Sequence, residues 1–193
     1  MPKTNKSKYA IMGMLSIRPM SGYDMKKLIA QSISYFWNES FGQIYPTLKK
    51  LVEESLATRQ TEKRPSKLDR YVYTLTDAGR AELRNWLKEP PEPESARNEF
   101  LLKLFFASQV AIGDNIALIE GYRREQVALL EYCRQMEQFL RTERADSPNL
   151  PYWLLGLDLG RQTTQATIAW CDKSIEEINQ LADAESTRDD GGT

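Results

Sequence analysis

Residues 40–56 read SFGQIYPTLKKLVEESL, and the next twenty, 57–76, read ATRQTEKRPSKLDRYVYTLT. In the first stretch Phe41, Ile44, Tyr45, Leu48, Leu51 and Val52 recur at helical spacing, and Ser40 and Gln43 stand at the spacing of a capping box. This stripe leaves Gln43, Pro46, Thr47 and Lys50 on the opposite face, with Lys49 at its flank. Amide, hydroxyl and ammonium groups on a helix laid in a major groove can hydrogen-bond base edges and reach phosphates. An ordinary solvated helix face has the same composition, so the helix alone leaves both readings open. Pro46 falls past the first turn of a helix that starts at Ser40, where it removes a backbone donor; either the helix starts later, near Gly42, or Pro46 kinks it.

The second stretch has a polar Pro65-Ser66 centre flanked by strand-like residues, the later flank carrying Tyr71, Val72, Tyr73 and Leu75. This pattern predicts a β-hairpin whose tip gathers Lys63, Arg64, Lys67 and Arg70, opposed only by Glu62 and Asp69. A tip charged merely for solubility would tolerate mixed signs, so the cluster favours contact with phosphates or a minor groove.

Upstream, KYAIMGMLSI at 8–17 predicts a short buried helix that stops before Arg18-Pro19. Ser21 and Asp24 then open a second helix carrying Met25, Leu28, Ile29 and Ile33. Three short helices of this kind suggest a helix-turn-helix. Downstream, Thr76 and Asp77 cap a fourth helix, which reaches Trp86 and Leu87 and ends at the Pro-rich, acidic PPEPE. From Ala96 the reading is all helix: about 96–109, then 114–143, then 151–181, with ADSPNLP at 145–151 turning the last two into an antiparallel pair. The fold class expected is mainly α with one small β-hairpin. The domains expected are 1–88, a linker at 89–95, a helical domain at 96–183 and a disordered polar tail at 184–193.

The whole chain has a net charge of −1, but residues 1–88 carry sixteen Lys and Arg against eight Asp and Glu, a net +8, whereas the remainder is −9. A basic half joined to an acidic one is expected when only one half approaches a polyanion. The chain has no histidine, no Gly-rich phosphate loop and no metal spacing for its two cysteines, Cys133 and Cys171, which disfavours an enzyme and implies no cofactor or metal. There is no run of eighteen apolar residues and no signal-peptide pattern, so a cytoplasmic protein without a membrane segment is expected.

The stretches GMLSIRPMSGYDMKKLI (13–29), FGQIYPTLKKLVEESL (41–56) and DRYVYTLTDAGR (69–80) resemble the PadR family of winged-helix regulators. The Tyr-Pro followed by Leu-Lys-Lys-Leu is the most specific part, supported by LTDAG after the second strand. FLLKLFFA at 100–107 and the late helix around Ile168, Ala169 and Trp170 resemble, more loosely, the longer subgroup of that family, which has a virulence-activator-like C-terminal helical domain. The resemblance implies a sequence-specific regulator of transcription, a repressor with activation as the alternative, that binds double-stranded DNA as a homodimer. It implies that the third helix enters the major groove, with Tyr45 and Lys49 near the backbone; Ser40, Gln43, Pro46, Thr47 and Lys50, read from the face of the helix itself, complete the candidate DNA-binding set. The wing residues Lys63, Arg64, Lys67 and Arg70 would approach the neighbouring minor groove. The C-terminal half would then make the dimer, with Phe100, Leu101, Leu104, Phe105, Trp153, Leu154 and Leu157 as candidate contacts; burial within one chain's core is the equal alternative. The family also includes regulators released from DNA by small molecules. Tyr152, Trp153, Phe139 and Trp170 could line such an effector pocket, though aromatic residues of this kind are more often core. The competing function class is a helical protein-interaction module whose basic face is incidental.

Overall fold

The computed structural model describes residues 6–63, 69–93 and 97–189, with side chains described to residue 180. It divides into two compact units, Met1–Pro93 and Glu94–Thr193.

In the first unit α1 (Lys6–Ile17), α2 (Gly22–Ser32) and α3 (Phe41–Glu53) are followed by the hairpin β1 (Ala57–Glu62) and β2 (Arg70–Leu75), then by α4 (Asp77–Trp86). This is a winged helix-turn-helix. The strands pair antiparallel in continuous register from Ala57 opposite Leu75 to Glu62 opposite Arg70. Met20 adds an isolated bridge to Tyr73, with bonds of 3.1 and 3.0 Å, so the α1–α2 connection lies along the edge of the hairpin. The core gathers one face of each element: Ile11 and Leu15 of α1, Met25 and Ile29 of α2, Ile44, Leu48 and Leu51 of α3, with Tyr73, Leu75 and Leu83 closing it. Burial of these side chains, each contributing about 1.5–3 kcal/mol, is the main favourable contribution. Two caps fix where helices begin. The Ser21 hydroxyl accepts from the Asp24 amide at 3.2 Å, and the Thr76 hydroxyl accepts from the Gly79 amide at 3.1 Å.

The end of α3 determines how the wing starts. Ser55 adopts φ 60°, its amide donates to the Val52 carbonyl at 3.0 Å, and the Leu56 amide donates to the Leu51 carbonyl at 2.8 Å. This is a Schellman turn, with Leu56 and Leu51 both buried beneath it. The Thr76 amide and hydroxyl then donate to the Leu56 and Ser55 carbonyls at 3.0 and 2.9 Å, so the start of α4 is fastened to the same turn. Ser55 pays the left-handed penalty that glycine avoids. Ser55→Gly is therefore expected to raise stability by about 0.5–1 kcal/mol, read as a higher urea midpoint with unchanged slope.

In the second unit α5 (Glu99–Phe105) and a 3₁₀ turn at Ala107–Gln109 precede two long helices, α6 (Ile112–Glu143) and α7 (Leu150–Asp189). The long helices pack against each other in antiparallel fashion, around Ile119, Leu130, Cys133, Leu157 and Cys171. Arg123 bridges them through Asp172 at 2.6 Å. Phe100 anchors α5 by stacking on Tyr122 at 4.0 Å and meeting the edge of Trp170 at 5.9 Å. Helix α7 continues to Asp189, so residues 184–189, expected as a disordered tail, have a helical backbone; residues 190–193 lie outside the described residues. Among the described residues no helix is long and apolar enough to cross a membrane.

Candidate nucleic-acid interface

Helix α3 starts at Phe41, behind Ser40, and runs through Pro46 to Glu53. The observed start lies one residue before Gly42, the later start that is one of the two alternatives for accommodating the proline, and Pro46 falls in the second turn. Pro46 deprives the Gly42 carbonyl of its partner four residues on, but Gly42 is exposed in the first turn, where water can take that carbonyl. The Gln43 side-chain oxygen accepts from both the amide and the hydroxyl of Ser40, each at 2.9 Å, which leaves its NH₂ as the group able to reach a base edge.

Two residues of this helix exchange the places that the sequence suggests. Thr47 is 8% exposed, on the buried side of the helix with Ile44, Leu48 and Leu51. Tyr45 is 48% exposed. Its ring lies over Gly22, where an added Cβ would stand 2.6 Å from it, and stacks beside Phe41 with centroids 6.0 Å apart. The buried stripe is centred on Ile44, Leu48 and Leu51, which admits Thr47 and turns Phe41 and Tyr45 outward. Gln43, Tyr45, Pro46, Lys49 and Lys50 thus share the solvent side. Lys49 and Lys50 make only loose pairs, each 3.7 Å long, with Glu53 and Glu54. Such exposed pairs are worth well under about 1 kcal/mol, so both ammonium groups remain available to phosphate.

On the wing, Lys63 is exposed at the end of β1, while Arg64 and Lys67 lie outside the described residues. Arg70 differs from the expectation of an open cation. Its guanidinium joins Asp24, at 2.7 Å, to Glu62, at 2.5 Å, and so ties the wing to the cap of α2. Arg59, which the sequence reading passed over, lies 4.5 Å above the Tyr71 ring of the other strand. The register places the two diagonally across the strands, a relation visible in sequence only once the turn is located.

Burial alone would raise the Asp24 carboxyl. Hydrogen bonds from the Ser21 hydroxyl and amide, with the charges of Arg70 and Arg18, outweigh it and hold the group below its ordinary value. A carboxylate depressed in the folded state contributes stability above its unfolded pKa, near 3.8, and that contribution is lost as pH falls through the folded value. The urea midpoint is expected to fall below about pH 4, and to fall less steeply in Asp24→Asn, which lacks the titrating group.

In the second unit Leu157, a candidate contact, is 4% exposed and belongs to the seam between α6 and α7. Trp153, Leu154 and Leu104 are half-buried, and Phe100 is occupied by Tyr122. Leu101 and Phe105 are exposed, together with Leu102 and Phe106. Along α7 the exposed apolar row is Tyr152, Leu155 and Leu159.

Residues 11–85 match the transcriptional regulator PadR-like family, and residues 96–179 match the virulence activator alpha C-terminal family. The negative transcriptional regulator PadR of Bacillus subtilis is 43% identical over 178 residues, spanning 90% of this chain and 97% of that one. The crystal structure of that regulator in complex with operator DNA has a TM-score of 0.80 at 30% identity, covering 91% of this chain and 98% of the other. Its complex with p-coumaric acid has a TM-score of 0.72, also at 30% identity, covering 89% and 98%. With its winged helix, its long-helix second unit and near full-length similarity to that regulator, the chain belongs to the PadR-like family of transcriptional regulators.

Proposed function

We propose that this regulator binds a pseudo-palindromic operator as a homodimer and represses the genes beside it. The observation that carries the reading is the solvent side of α3, where Gln43, Tyr45, Pro46, Lys49 and Lys50 form one polar and cationic face on a winged helix. Gln43 is suited to a base edge, Pro46 to the apolar methyl of thymine, and Tyr45, Lys49, Lys50 and Ser40 to the sugar-phosphate backbone. Lys63 and Arg59, with Arg64 and Lys67 that follow Lys63 in sequence, would follow the adjacent backbone, whereas Arg70 acts from within as a strut. The acidic half would pair two chains so that their third helices stand about one DNA turn, roughly 34 Å, apart. The relative's complex with operator DNA supports operator binding, and its name supports repression over activation. The site of action is the cytoplasm. The relative's complex with p-coumaric acid favours release by a small aromatic acid, which could stack on the cluster of Phe100, Tyr122 and Trp170.

The test is selection of bound fragments from genomic DNA, followed by a salt titration on the best fragment. An enriched inverted repeat is expected, with a log-log salt slope near −0.9 per phosphate neutralised. Lys49→Ala with Lys50→Ala should reduce that slope by about two and weaken all sequences alike. A flat slope and no enriched sequence would leave the protein-interaction module as the better reading.

A further inference from the structure

Helix α2 ends at Ser32 and α3 begins at Phe41, so the connection at 33–40 is too long to set the direction of α3 by chain length alone. Its first part is held by its own backbone, the Phe36 and Trp37 amides donating to the Ile33 carbonyl at 3.1 and 2.7 Å. Its second part is held by side chains. Lys26, on α2, donates from Nζ to the Asn38 side-chain oxygen at 3.1 Å and to the Glu39 carbonyl at 2.5 Å. The Trp37 indole N–H donates to Glu39 Oε1 at 2.8 Å. Glu39 is 1% exposed, and its other carboxylate oxygen, Oε2, is buried with no hydrogen-bond partner.

A buried, half-satisfied carboxylate is costly, and a connection needing only solubility would leave such a residue in water. Glu39 directly precedes Ser40 at the start of α3, where the positive end of the helix dipole favours an anion. We infer that Lys26, Trp37 and Glu39 act together as a positioning clamp, which sets the angle at which α3 leaves the connection and thereby which base edges it meets. The inference rests on the DNA reading proposed above and deepens it. A helix of this length spans about 20 Å, so a tilt of about 10° at its start moves its far end by about 3 Å, the length of a hydrogen bond. The clamp should therefore govern discrimination between sequences more than attraction to phosphate.

The experiment compares Lys26→Met, Trp37→Phe and Glu39→Ala, with the conservative Lys26→Arg and Glu39→Gln, on the selected operator and its single-base variants across a salt series. If the wild-type protein selects no sequence, the DNA reading fails at that step, before the clamp is tested. Given a selected operator, Lys26→Met and Glu39→Ala are expected to lose about tenfold of their discrimination with an unchanged salt slope, and the two conservative variants to stay within about twofold. Glu39→Ala combined with Trp37→Phe should be no worse than either alone, because both remove one contact. A slope reduced by about one in Lys26→Met would make Lys26 a phosphate ligand and overturn the clamp. Full discrimination in folded Trp37→Phe, whose melting temperature alone has dropped, would do the same, and this milder variant decides the matter should Glu39→Ala not fold.

Discussion

Gly79→Ala is expected to lower the melting temperature of the winged-helix unit by about 15 °C and to abolish operator binding at ordinary growth temperature. A Cβ at position 79 would stand 2.2 Å from the Leu56 carbonyl oxygen and 2.8 Å from Leu75 Cδ1. The leucine methyl can turn aside, but the carbonyl is backbone and already accepts the Thr76 amide. Relief thus requires α4 to lift from the turn, at the expense of the Thr76–Leu56 bond and the Thr76 cap on Gly79. Overpacking against side chains costs about 1–3 kcal/mol, and an immovable backbone atom places this case at or above the top of that range. A domain with the usual marginal stability has little more than that to lose. Calorimetry of the two proteins at one pH decides it, and a variant within about 2 °C of the original would show that the junction yields.

If the protein pairs as proposed, Leu155→Glu combined with Leu159→Glu is expected to give a folded monomer whose operator affinity is at least about a hundredfold weaker. Both leucines are exposed on α7 beside Tyr152, so charges there cost little within one chain but would be buried against a second copy. The loss of affinity follows from valency, since the second half-site is then no longer engaged at high effective concentration. Sedimentation gives the mass and circular dichroism the fold. A dimer that persists would move the interface to α5, where Leu101, Leu102, Phe105 and Phe106 are exposed, Phe105 to 81%.

Much of the winged helix was legible because its signals are local. Ser21 with Asp24, and Thr76 ahead of α4, are caps that operate within four residues, and the alternation of Tyr71, Tyr73 and Leu75 marks a strand without knowledge of its partner. Where two readings of one helix were compatible with its apolar residues, the sequence could not choose. Phe41, Tyr45 and Val52 rotated the apparent stripe of α3 by enough to exchange Tyr45 for Thr47, whose methyl group makes it acceptable inside. On α7 apolar residues occur almost all round, so Leu154 and Leu157 could not be separated from Leu155 and Leu159 by spacing. The strut at Arg70 and the buried Glu39 depend on partners 46 residues away and on a connection with no periodicity, respectively, and neither relation leaves a trace in composition.

The Schellman turn at Ser55 and Leu56 has a bearing on how such a regulator changes its target. The end of α3, the first residue of β1 and the cap of α4 all meet at two adjacent carbonyls, so helix and wing are held as one gauge with a fixed gap between its jaws. A lineage carrying this turn cannot acquire a new operator by spreading helix and wing apart. The routes left open are exchange of side chains on the outer face of α3 and a changed tilt of α3 at its clamp, while the anchorage of the helix end to β1 and α4 stays constant. Operators of its descendants should therefore differ in letters and agree in spacing.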